Sequence, residues 1–287
     1  MSRTKGFTLI ELLVVIAIIA VLMGIIMPAL STAKKVASSA ACLGNHRTLL
    51  TAWFLYADDH DGLLVNNRAC YDTPDDRTPW VLRPKDAAGN DLIKPAPITI
   101  TDQDRFRGIQ AGSLWKYVQD VGAYRCPGDN RRSTRNPPRD CWRSYSISYA
   151  FGHVRTGTYG YRPYRRLTDI KNGAFYYVFL EEEHQGGNYG ENEGGWHFRL
   201  DGGQNVLENP ASYTFYDALA SFHNKSSTFG FADGHAERQK WTDKRTLEFI
   251  ASLGDDTSAL SGAYVNSAGN EDLYWLIEHF IAKERRE

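Results

Sequence analysis

Net charge is almost absent from this sequence: 33 Lys and Arg stand against 34 Asp and Glu. That balance argues against bulk binding of nucleic acid, which needs a basic surface. No block of roughly 20–50 residues recurs, so solenoids and propellers are excluded. Cysteine is scarce, at four residues, and neither a C-x-x-C pair nor a His-rich tract gives the spacing of a zinc site. EF-hand spacing is lacking too, and no nucleophile stands at a recognisable distance from an acid–base partner. Proline is missing between Pro28 and Pro74, which leaves room for a long helix. What remains is 16 Tyr, 7 Trp and 25 Gly, the composition of an aromatic, loop-rich body with more strand than helix. A chain of 287 residues suffices for one large domain or two small ones.

The mean hydropathy of −0.44 conceals one very apolar segment. From Phe7 to Leu30 the only charge is Glu11. As a helix at about 1.5 Å per residue, this stretch spans roughly 36 Å, enough for a bilayer core. Arg3 and Lys5 precede it, so the positive-inside rule predicts a cytoplasmic N-terminus and a body outside. A secretory signal would place its small residue after the apolar run, whereas Gly6 comes before it. A plain signal anchor does not explain Glu11, because a charge at mid-membrane costs about 2.5–3.5 kcal/mol on insertion scales and generally has a function.

The run Lys5-Gly6-Phe7-Thr8-Leu9-Ile10-Glu11 closely resembles the signature of type IV prepilins and type II secretion pseudopilins. The resemblance implies cleavage after Gly6 by a prepilin peptidase and N-methylation of Phe7. It implies that Glu11 pairs with the N-terminal amine of a neighbouring subunit, and that Pro28 marks a place where the helix bends or melts. It also implies the partners: that peptidase, other copies and other pseudopilins in a filament, the inner membrane, and a secretion or pilus assembly platform, with no nucleic acid. The fold implied is α+β and pilin-like, a long N-terminal helix on an antiparallel sheet with loop insertions and a C-terminal helical region. The expected organisation is a leader over 1–6, a membrane and filament-core helix over 7–30, its amphipathic continuation over 31–62, and a globular domain over 63–287.

In that continuation, Val36, Ala40, Leu43, Leu50, Phe54 and Ala57 form a stripe at helical spacing, interrupted by Arg47. Asp61-Gly62 reads as the stop. Cys42-Leu43-Gly44-Asn45, the Cys126-Pro127-Gly128-Asp129 segment and the Ser-Tyr stretch 144–149 resemble motifs of one pseudopilin-like group. His223, nine intervening residues and Asp233-Gly234 resemble the H-X9-DG signature of large prepilin-like proteins abundant in Planctomycetes and related bacteria. On the residues alone, Asp233-Gly234 predicts a type I′ hairpin turn between strands 227–232 and 236–241. His223 is then expected to lock the hairpin edge through Asp233 or the backbone rather than to catalyse.

Cys42, Cys70, Cys126 and Cys141, placed outside the cytoplasmic membrane, predict two disulfides with three connectivities open. Membership of Cys42 and Cys126 in the resembled motifs favours 42–126 with 70–141, against a local 126–141 loop. Arg131, Arg132, Arg135, Arg139 and Arg143 make a basic stretch, and Glu181, Glu182, Glu183, Glu191 and Glu193 an acidic one. They read as solvated faces, or as complementary contacts between subunits. Major pseudopilins often bind calcium in a C-terminal loop; the Glu181–Asp201 stretch has the oxygens for it but no clear counterpart of that loop, so no cofactor is assigned. Residues Asn270 to Arg286 predict a capped amphipathic helix with Leu273, Leu276, Ile277, Phe280 and Ile281 on its core face. The functional expectation is a structural filament subunit. The competing expectations are an adhesin presenting exposed Tyr and Trp, and a tethered hydrolase using His223, Asp233, His235 and Glu181.

Overall fold

In the computed structural model, residues 9–67, 77–92, 99–131, 141–152, 159–183, 194–253 and 265–286 are described. Helix α1 runs unbroken over Leu9–Asp59, about 77 Å at 1.5 Å per residue. It carries through Pro28 without melting; proline removes one backbone donor, and the Thr32 hydroxyl donates to the Pro28 carbonyl at 3.1 Å. Asp61 (φ 53°) and Gly62 (φ 77°) turn the chain left-handed and end the helix, and the Gly62 N–H closes on the Ala57 carbonyl at 2.7 Å.

The two halves of α1 differ in their surroundings. From Leu9 to Leu30 every residue is exposed. In the second half Ser39, Cys42, His46, Leu49, Leu50, Trp53, Tyr56 and Ala57 are buried against the body. The expected stripe is therefore rotated: Val36 and Ala40 face solvent, and Leu43 and Phe54 are half-buried. The true face includes Cys42, and also Ser39 and His46, which an apolar pattern passes over. Arg47 does not interrupt it, being exposed.

That face lies on a five-stranded sheet of order β3-β1-β2-β5-β6, with β1 Tyr145–Ser148, β2 Tyr177–Glu181, β3 Gly195–Trp196, β5 Ser226–Phe231 and β6 Ala236–Lys240. A separate ribbon pairs β4 (Thr214–Phe215) with β7 (Val265–Asn266). The sheet is mixed rather than wholly antiparallel. β1–β2, β2–β5 and β5–β6 are antiparallel, but β3 joins β1 in parallel. Strands β1, β2 and β5 are buried along their whole length, as central strands covered on both faces must be. On the α1 side, a Cβ at Gly230 would stand 2.8 Å from Leu50 Cδ1, so the missing side chain sets how closely the helix approaches. On the other side Phe229 packs edge-on to Trp275, ring centroids 5.1 Å apart.

Trp275 belongs to α4 (Glu271–Glu278), which Asn270 caps through Leu273 N–H. Leu273, Leu276, Ile277, Phe280 and Ile281 are all fully buried, so the tail closes the core as its pattern predicts, although the α-helix stops at Glu278. Helices α2 (Asp102–Gln110) and α3 (Lys244–Ser252) complete the body. The β5–β6 hairpin exists, but its turn is not type I′. Only Gly234 of the connection is left-handed (φ 96°), and its N–H bonds Phe231 C=O at 2.9 Å while Phe231 N–H bonds His235 C=O at 2.8 Å. That is a type I turn followed by a left-handed glycine. The aromatic residues form the core: Trp53, Trp80, Trp196, Trp241, Tyr145, Tyr161 and Tyr177 are fully buried. Among the described tyrosines and tryptophans Tyr274 alone is exposed.

Candidate functional site

Where α1 crosses the sheet, side chains from four distant parts of the chain converge. Cys42 comes from the buried face of α1, one helical turn before His46. Cys126 comes from the Cys126-Pro127-Gly128-Asp129 turn, Glu181 from the end of β2, and His223 from the residues leading into β5. Cys42, Cys126 and Glu181 have no exposed surface and His223 has 1%. Their four potential ligand atoms lie within 4.8 Å of one another.

Local structure aims each group inward. The turn at Cys126 closes through Asp129 N–H to Cys126 C=O at 3.0 Å, and Gly128 N–H donates to the Cys126 sulfur at 3.2 Å. A Cβ at Gly128 would sit 2.8 Å from His223 Cε1, so only glycine lets the imidazole reach the thiol. His223 is followed by Asn224 and Lys225, both left-handed at φ 52° and 60°, a conformation that costs a non-glycine residue about 1–2 kcal/mol. Strain of this kind clusters at functional sites. The two-residue left-handed turn foreseen at Asp233-Gly234 thus occurs at the other end of β5.

Cys42 Sγ is 2.9 Å from Glu181 Oε1, Cys126 Sγ is 3.1 Å from His223 Nε2, and His223 Nε2 is 3.0 Å from Glu181 Oε1. A second ring holds these groups. Thr228 Oγ1 and Tyr145 Oη lie 2.8 and 2.9 Å from Cys42 Sγ; Thr228 Oγ1 also meets His46 Nε2 at 3.0 Å. Thr228 N–H donates to Glu181 Oε2 at 2.8 Å, leaving Oε1 to face the sulfur and the imidazole. Burial raises the Glu181 carboxyl to about 8, with Cys42 adding to the rise. Burial opposes a charge on His223, but Cys42 and Glu181 outweigh it and raise the imidazole to about 10. Burial likewise pushes the Cys126 thiol up. The Cys42 thiol is held below its ordinary value despite burial, by hydrogen bonds with Cys126, His223 and His46.

The remaining sequence candidates fall as follows. Glu11 and Pro28 lie on the exposed half of α1, Glu11 in its first turn; Gly6 and Phe7 lie outside the described residues, as does Cys70. Cys42 and Cys126 carry free, buried thiols, and Cys141 is buried. The expected 42–126 pair is brought together without being bonded, and the 126–141 loop is not formed. Asp233 does not meet His223. It pairs with His235 at 2.6 Å on the hairpin turn, at the far end of β5 and roughly 20 Å away along the strand. The hydrolase set is therefore split, and His223 instead meets Glu181. At the start of β5 its backbone N–H bonds Ser226 C=O at 3.2 Å.

The described residues of both charged stretches also turn inward. Arg131 and Arg143 are 2% and 1% exposed, and Glu181, Glu182 and Glu183 are 4% or less. Arg131 pairs with Asp129 at 2.7 Å and feels the charge of Glu183. Opposite charges here meet within one chain, because β2 and the Cys126 turn are packed elements rather than surface loops. Arg132, Arg135, Arg139, Glu191 and Glu193, with residues 184–193 of the Glu181–Asp201 stretch, lie outside the described residues.

Residues 1–27 match the family described as the prokaryotic N-terminal methylation motif. The type IV wide pilus major component PilA4 of Thermus thermophilus is similar, at 28% identity over 142 residues, covering 49% of this chain and 99% of that one. No solved structure matches. The motif and the relative support a type IV prepilin-like protein.

Proposed function

We propose that this chain is a structural filament subunit: cleaved after Gly6, N-methylated on Phe7, held in the membrane by α1, and then assembled into a type II secretion pseudopilus or a type IV pilus-like filament. The observation that carries this is the first half of α1. Leu9 to Leu30 extend from the body with every residue exposed, in a run of Leu, Ile, Val and Met. Burying one such side chain is worth about 1.5–3 kcal/mol, so the helix demands a lipid or protein environment. Lipid supplies it before assembly, and the helices of other subunits supply it afterwards.

Glu11 sets the register of that packing. An anion inside an apolar bundle is strongly penalised unless a cation meets it, and the new amine of Phe7 on a neighbouring subunit is such a cation. The second half of α1, packed along the sheet, makes each globular body follow its helix. The chain acts as the substrate of a peptidase and catalyses nothing itself. Arg3 and Lys5 support a cytoplasmic N-terminus with the body outside.

Intact-mass and N-terminal analysis of the protein from its native membrane tests this, beside a Gly6→Val variant. A mature chain beginning at methylated Phe7, with the variant left unprocessed, is expected. A chain still beginning near Met1 would reduce α1 to a simple anchor.

A further inference from the structure

We propose that Cys42, Cys126, Glu181 and His223 form a structural zinc site that fastens the N-terminal helix to the sheet. The donor set is two sulfurs, one imidazole nitrogen and one carboxylate oxygen. Soft and borderline donors of this kind select zinc, while calcium requires six to eight oxygens. Tetrahedral zinc, with bonds of about 2.0–2.3 Å, needs ligand atoms about 3.3–3.8 Å apart. Here the three close contacts are 2.9, 3.0 and 3.1 Å and no ligand pair exceeds 4.8 Å. An ion at the centre requires shifts of roughly half an ångström.

The surroundings are those of a built ligand shell. Metal-bound groups are normally oriented by second-layer hydrogen bonds, and here the Gly128 N–H and the Tyr145 and Thr228 hydroxyls address the sulfurs. Thr228 N–H fixes one carboxylate oxygen, so Glu181 would bind through the other. With four protein ligands and no exposed surface the site is closed, which marks a structural rather than a catalytic centre. On binding, zinc would displace the protons its ligands still hold. The mechanical consequence is specific: Cys42 lies on α1 and the other ligands on the body, so the ion ties the filament helix to the domain it carries. This proposal does not depend on leader cleavage or on filament formation.

Full-length protein purified in detergent without a metal-affinity tag should contain about one zinc ion per chain. Exchange with cobalt(II) should give the intense visible bands of a tetrahedral ion and a thiolate-to-cobalt charge-transfer band. Cys42→Ser and His223→Ala should lose the metal, and Cys141→Ser should keep it. If the first two variants fail to fold, the wild-type cobalt spectrum and a non-reducing peptide map decide. A folded, metal-free protein carrying a Cys42–Cys126 disulfide would overturn the proposal. So would zinc retained in folded Cys42→Ser and His223→Ala, or another metal in its place.

Discussion

Replacing Asp129 with Asn removes one charge from a pair almost wholly withdrawn from water. Asp129 and Arg131 side chains are each 2% exposed. The carboxylate accepts from Arg131 Nε at 2.9 Å, Arg131 Nη2 at 2.7 Å, the Arg131 backbone N–H at 3.1 Å and the Ser144 hydroxyl at 2.6 Å. Arg131 also donates to the Arg143 carbonyl at 3.0 Å, so it cannot leave without breaking that contact. Unit charges about 4 Å apart at an effective dielectric constant of about 20 attract by about 4 kcal/mol. Breaking a buried pair from one side costs about 3–5 kcal/mol. The two figures agree, and at about 2–4 °C per kcal/mol the expected fall in melting temperature is roughly 8–16 °C. Near-ultraviolet circular dichroism of the detergent-solubilised chain would follow it through the buried tryptophans.

The pH dependence carries a second signature of the same pair. Burial alone would raise the Asp129 carboxyl, but Arg131 and Ser144 overcome it and hold it below its ordinary 3.8. The stabilisation is therefore complete above pH 3.8 and is lost as the pH falls through the folded-state value. Asp129→Asn should remove that part of the acid sensitivity. A melting temperature within about 2 °C of wild type would show that Arg131 finds another partner or reaches water, and the buried-pair reasoning would fail.

Two further substitutions probe the body. Phe280→Ala empties a fully buried site against Tyr161, Trp196 and Phe198, and should cost about 3–5 kcal/mol in a denaturant titration; a cost below about 1 kcal/mol would mean that the tail is not part of the core. Gly234→Ala forces a side chain into the left-handed conformation at φ 96°, 3.3 Å from Phe54 Cε2. It should cost about 1–2 kcal/mol with the hairpin intact by hydrogen exchange, and an unchanged stability would contradict the turn described for β5–β6.

How far these features were legible in the sequence depended on whether one element carried them alone. Leu9 to Leu30 is apolar all round, and Leu273 to Ile281 repeats at helical spacing, so both were readable. The buried face of α1 was misplaced by a fraction of a turn, because Ser39 and His46 sit on it and an apolar count rejects both. The cluster was harder still. Its contacts join residues 139 and 97 positions apart, and no local spacing encodes a site shared among a helix, a turn, a strand end and a strained bend. The available clue was Cys42 and His46 four apart on one helix, taken with Cys126 before Pro127-Gly128.

Self-contact between the apolar helices in the native membrane is the most direct test of a filament subunit. A photo-crosslinking residue placed at Ile16, on the exposed half of α1, reports which molecules lie against it. Filament packing gives a ladder of dimers and higher multimers that collapses when Glu11 is changed to Ala. Monomers crosslinked to lipid alone, with or without Glu11, would mean that α1 is only a membrane anchor.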